Sequence, residues 1–196
     1  MGCFFYGLNA ENVVPFDMDL PEISRRLNQF QPIKPHDAVS VMAIQEAIGA
    51  IEKGGWGIGA VLIDNQSGVI IGRGQNKTTR SDWHAEMDLL NQFEDEHQDK
   101  KARKALLAHC TLVTSLEPCP MCLCRMIAAG VGTVYYVAPD VPGGMVHLLD
   151  RLPETWQELA KGKIYAPADC SAELVTIAGA VFQLALSDQR KQAYIK

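Results

Sequence analysis

Nowhere in these 196 residues does an apolar run of about 20 occur without polar or charged interruption, which excludes a helix that spans a bilayer. A basic start followed by a long apolar core is also missing, so no secretory leader is read and the cytoplasm is the expected location. Met1-Gly2-Cys3 opens as a lipid-acceptor sequence does, but Tyr6 stands where a myristoylation site carries Ser or Thr. Positive charge is scarce: 18 Lys and Arg face 23 Asp and Glu, for a net −5. Proteins that neutralise nucleic-acid phosphates have the opposite balance, so a small molecule is the expected substrate and nucleic acid is not. Internal repeats and low-complexity tracts are absent too, which removes solenoids and fibres. What remains is 47% hydrophobic and 21% charged, the composition of a globular domain.

Cysteine is not lacking. Six occur, at positions 3, 110, 119, 122, 124 and 170, and three of them fall within six residues. Such clustering suits a metal site in a reducing compartment better than a disulfide framework.

Residues 1–35 hold Pro15, Pro21, Pro32 and Pro35 with little periodicity. They are read as an irregular N-terminal arm with a short helix through Glu22–Phe30, ahead of a domain over residues 36–196. From His36, Val41, Ile44, Ile48 and Ile51 recur at helical spacing until Gly54-Gly55. Ile58–Asp64 and Val69–Gly74 flank a turn composition, Asn65-Gln66-Ser67-Gly68, and read as an antiparallel hairpin. A helix is predicted from about His84 to Glu94, then a polar segment Glu94–Lys104 leading through Leu106-Leu107. Beyond it come a strand at Cys110–Ser115, a helix over Cys119–Ala129 and a strand at Val131–Val137. Asp140–Gly144 reads as a Pro/Gly loop, and Pro153 opens a short helix to Leu159. Lys163–Ala166 reads as a last strand, and the final helix starts near Ser171 as N-cap. This alternation implies crossover connections and an α/β fold, a three-layer α-β-α sandwich with a mixed sheet.

Two short segments carry chemistry: His84-Ala85-Glu86 and Pro118-Cys119-Pro120-Met121-Cys122. Each alone is a weak signal. Together they supply one imidazole and two thiols, donors of the right softness for zinc. A structural zinc site closes with four protein ligands, whereas three leave a position for water. Cys119 and Cys122, three apart on a helix, share a flank; His84 and Glu86, two apart, do not. The latter pair converges only on something above the end of its helix. Both segments sit at predicted helix starts, where the partial positive charge favours thiolate. Glu86 has no use in a structural site and is assigned as the proton shuttle. Histidine, glutamate and the Cys-x-x-Cys pair in this order are a known signature of zinc base deaminases.

At this point the chain resembles the cytidine deaminase-like superfamily, in the branch with tRNA adenosine deaminases and bacterial guanine deaminases. The resembling residues are Gly59-Ala60-Val61-Leu62-Ile63, Gly72-Arg73-Gly74-Gln75-Asn76, His84-Ala85-Glu86 and Leu116-Glu117-Pro118-Cys119-Pro120-Met121-Cys122. The resemblance implies a five-stranded mixed sheet flanked by helices, and a homodimer. It implies Zn2+ held by His84, Cys119 and Cys122, with Glu86 catalytic and Asn76 contacting substrate. Ala85 and Trp83 join Asn76 as candidate substrate contacts, Trp83 as a ring that stacks on a flat base. The rival readings are turn-capping for Asn76 and an ordinary half-buried aromatic for Trp83. The expected activity is hydrolytic deamination of a small aminated heterocycle, a guanine-type purine before others. The alternatives are a tRNA adenosine deaminase and a non-catalytic zinc scaffold.

Other features read as structural. Cys124 points away from Cys122 on a helix and is expected to be a buried thiol. Lys100–Lys104, flanked by acids, reads as a solvated face. Gly54–Gly59 precedes a strand and fits no dinucleotide pattern. A pocket-lining role is the lesser reading for His147.

Overall fold

The computed structural model describes residues 18–79 and 82–194, and the reading of Met1–Tyr6 as a lipid-acceptor start lies outside them. Among the described residues the order begins α1 (Leu20–Gln29), α2 (Asp37–Glu52), β1 (Gly59–Asp64), β2 (Ile70–Gln75), α3 (Ala85–Glu96) and α4 (Lys100–Leu107). It continues β3 (Cys110–Leu116), α5 (Pro120–Ala129), β4 (Thr133–Ala138), α6 (Glu154–Ala160), β5 (Ile164–Pro167) and α7 (Ala172–Tyr194). A 3-10 segment covers Val146–Arg151. No helix among these residues is long and apolar enough to cross a membrane.

The strands form one mixed sheet in the order β2-β1-β3-β4-β5. β1 pairs antiparallel with β2 and β3, while β3–β4 and β4–β5 run parallel. Successive side chains on a strand point to opposite faces, and the core divides accordingly. Val61 and Val113 lie in a cluster with Ile44 of α2, Ile23 of α1 and Ile177 of α7. Their neighbours Leu62 and Leu112 face the other way, onto Leu89 and Phe93 of α3 and Met126 of α5. The result is the expected three-layer sandwich.

Local chemistry sets the helix ends. Asp19 caps α1 by accepting from the Glu22 N–H at 2.9 Å, with Pro21 in the first turn. Ile23 and Leu27 on that helix are 0% and 3% exposed, so the segment packs onto the body. α5 starts at Pro120 and ends on Gly130, whose φ of +85° is the left-handed stop that glycine adopts without strain.

Three sequence expectations change. The polar segment 94–104 is not a plain connection, because Asp99 caps α4 through the N–H groups of Lys101 and Ala102. Ser171 does precede α7, but its hydroxyl donates to Asp37 at 2.7 Å. Cys124 is half-buried rather than buried.

Candidate active site

Two strand ends deliver the site. The end of β2 runs along the first turn of α3, and the approach is close enough to require glycine. A Cβ on Gly74 would lie 2.1 Å from the Ala85 carbonyl oxygen and 2.7 Å from Leu89 Cβ. Beyond it the Gln75 N–H donates to Asp88 Oδ2 at 3.2 Å, and the Lys77 N–H donates to the Trp83 carbonyl at 2.9 Å. Lys77 Nζ also reaches Asp88 Oδ1 at 2.6 Å. These bonds close the base of the 77–83 loop and place His84 as the N-cap of α3, with extended φ −70° and ψ 160°. At the end of β3, Glu117-Pro118 leads to Cys119, the N-cap of α5, at φ −66° and ψ 168°. Both motifs thus sit at helix N-termini.

His84 Nδ1 lies 3.5 Å from the Sγ of Cys119 and 3.5 Å from the Sγ of Cys122. All three donor atoms fall within 4.8 Å of one another. Zn–N of about 2.05 Å and Zn–S of about 2.3 Å at tetrahedral angles give an N–S edge of about 3.5 Å. The donor set therefore fits zinc in kind and spacing. Hydrogen bonding from Cys122 draws the Cys119 thiol down to about 4 against the upward push of burial, with His84 helping. The same bond, and burial, push Cys122 well above its ordinary value.

Glu86 is 3% exposed in the first turn of α3. Burial pushes its carboxyl up and the Cys119 charge adds to the push, while the Cys122 and Thr114 hydrogen bonds pull it down. The Thr114 hydroxyl, itself fully buried, donates to Glu86 Oε1 at 3.0 Å. A buried carboxyl thus stands beside the three candidate metal donors.

The remaining candidates are placed as follows. Asn76 is 3% exposed, and its Oδ1 accepts from the Trp56 N–H at 3.1 Å. Trp83 is half-buried, with Lys77 Nζ 5.2 Å from its ring centroid. Ala85 is 0% exposed and lies in the core cluster with Leu62, Leu89 and Leu112. His147 is exposed and bonded to Glu117.

Sequence reasoning did not single out Thr114 or Glu117 as functional. For Thr114 a signal existed: it follows Leu112 by two on β3 and so shares the face that packs on α3. Glu117 was read only as part of a motif, yet it is 3% exposed and accepts three hydrogen bonds.

The model of the cytidine and deoxycytidylate deaminase zinc-binding region matches residues 33–138. A tRNA-specific adenosine deaminase of Bacillus subtilis is 41% identical over 109 residues, which cover 52% of this chain and 61% of that protein. A guanine deaminase of the same organism is 35% identical over 111 residues, 53% of this chain and 64% of that protein. The chain thus spans less than two thirds of the length of either curated relative. Among solved structures, a guanine deaminase from Nitrosomonas europaea superposes with a TM-score of 0.59 at 21% identity, covering 94% of this chain and 98% of that one. That likeness is one of fold.

Proposed function

This chain belongs to the cytidine and deoxycytidylate deaminase zinc-binding family, and from that premise we propose that it is a hydrolytic deaminase of a small aminated purine. One observation carries the reading: the buried Glu86, held by Thr114, stands two residues after the metal donor His84.

His84 Nδ1, Cys119 Sγ and Cys122 Sγ are the atoms that would hold the zinc. Bound zinc supplies Lewis acidity, lowering the pKa of a water from about 16 to about 7. Glu86 takes the proton that this water gives up as its oxygen attacks the amine-bearing ring carbon. It would pass that proton to the ring nitrogen, then take the second proton from the hydroxyl left on the carbon and hand it to the departing amine, so that one water is consumed and ammonia leaves. Burial supports this work, because it pushes the carboxyl above its ordinary value and so makes it a better proton acceptor. Asn76 offers its NH2 group to an acceptor on the substrate, since its Oδ1 is already engaged by Trp56.

A small substrate is favoured by the net charge of −5 and by the 35% identity to a guanine deaminase. A second reading, adenosine deamination in tRNA, is favoured by the 41% identity to a tRNA-specific adenosine deaminase. The reading extends to a homodimer in a reducing, cytoplasmic compartment, where two thiols stay available to a metal.

The test is an ammonia-release screen of the zinc-loaded protein over guanine, adenine, cytosine and their nucleosides, with inosine formation on tRNA run alongside. Guanine turnover that Glu86→Gln abolishes is the expected result. Inosine on tRNA without release from free bases would overturn the small-purine reading in favour of the second.

A further inference from the structure

One buried carboxylate holds a whole loop beside the site. Glu117, with a side chain 1% exposed, accepts on Oε1 from the His147 backbone N–H at 2.9 Å and the His147 ring Nδ1–H at 2.7 Å. On Oε2 it accepts from the Asp140 N–H at 3.1 Å. The Met145 N–H adds a bond of 2.8 Å to the Pro118 carbonyl. Gly144 completes the wrap because it has no side chain: a Cβ there would lie 2.5 Å from Glu117 Cδ and 2.7 Å from Cγ. Loop 139–147 is therefore fastened to the two residues that precede Cys119.

Burying a carboxylate is unfavourable unless donors meet its oxygens, and here three converge. Cys119 reaches its cap position with Pro120 in the first turn of α5, so helix geometry does not require the glutamate. What the carboxylate does hold is the loop. That loop carries the half-buried Asp140, whose carboxyl lies close enough to Cys119 to feel its charge, and Val141, which is 74% exposed.

We infer that Glu117 is a positioning residue: with His147 as its partner it sets loop 139–147 as the wall of the site on the Cys119 side, and so decides which aminated ring is admitted. This inference rests on the deaminase reading above. His147→Ala removes one bond without touching Glu117 or a metal donor, and Gly144→Ala drives a methyl onto the carboxylate.

Wild type and both variants, loaded with zinc, are compared by zinc content, by amide hydrogen exchange over residues 138–148 and by steady-state kinetics. The expected result is unchanged zinc, faster exchange in that segment and a KM raised about tenfold, with kcat within about threefold. His147→Asn, which keeps a side-chain donor, recovers part of the KM. Loss of zinc from His147→Ala would make the clamp a metal support and overturn the inference. Faster exchange with an unchanged KM would remove its part in specificity, and unchanged exchange would remove the clamp. If the wild type deaminates nothing, the functional reading falls by itself, and the clamp is judged on the exchange data.

Discussion

The Thr114 hydroxyl on β3 donates to the Glu86 carboxylate on α3 across 3.0 Å, and both side chains are buried. The bond ties Glu86, the proton carrier of the proposed reaction, to the central strand of the sheet. Thr114→Val keeps the shape and removes the donor, which leaves Oε1 with one partner fewer. The expected stability loss is about 1 kcal/mol. Turnover should fall further, by roughly tenfold or more in kcat with KM little changed, because the group that moves the proton loses its fixed direction. Steady-state kinetics beside a urea titration separates the two effects. Unaltered kcat would show that Thr114 only fills space.

Cys119→Ala leaves His84 and Cys122 as two donors, too few to hold zinc firmly. Elemental analysis of the purified variant should find well below one zinc per chain. Its circular dichroism should stay native, since Cys119 lies outside the strands, at the cap of α5, and only borders the core cluster. Full zinc content would mean that the donor set is misassigned.

How legible all this was differs from residue to residue. The hairpin, the strand before Glu117 and the helices after His84 and Cys119 follow from period, turn residues and proline placement, which are local properties. α4 escaped because its apolar face is only Leu106 and Leu107, and its start depends on Asp99 as a cap rather than on hydrophobic period. The metal donors were readable because zinc demands particular residue types at particular spacing. Glu117 and His147 are 30 residues apart, and their bond exists only once β4 and the loop after it return along β3. No local pattern announces such a pair. The same holds for Ser171, whose hydroxyl is taken by Asp37 from 134 residues away.

Asp37 itself yields a pH prediction. Burial alone would push its carboxyl up. The N–H groups of Ile33, Lys34 and Ser171 and the Ser171 hydroxyl outweigh that and hold it at about 2, below the ordinary 3.8. Because the folded value lies below the unfolded one, the carboxylate's contribution is complete above about pH 4 and is lost as pH falls toward 2. Asp37→Asn should therefore cost about 2 kcal/mol at neutral pH and progressively less on acidification. Urea midpoints of both proteins at neutral pH and near pH 2.5 supply the check. A gap that stays constant would rule out the charge as its source.

Asn76 separates a turn cap from a substrate contact. Its Oδ1 accepts from the Trp56 N–H at 3.1 Å, which fixes the orientation of the amide and leaves the NH2 group as the donor it can offer. Asn76→Asp preserves an oxygen toward Trp56 but turns the remaining position from donor to acceptor. If Asn76 serves only the turn, this variant should fold, bind zinc and turn over as the wild type does. If it contacts the substrate, a carboxylate oxygen now faces the substrate's own acceptor, and KM should rise at least tenfold. Asn76→Ala provides the complement, losing about 1 kcal/mol of stability through the orphaned Trp56 N–H while raising KM as well. Parallel kinetics and thermal melts on the two variants decide the matter: a raised KM in Asn76→Asp without a lowered melting temperature is the signature of a contact, whereas an unchanged KM in both variants, with the melting temperature lowered in Asn76→Ala alone, is that of a cap.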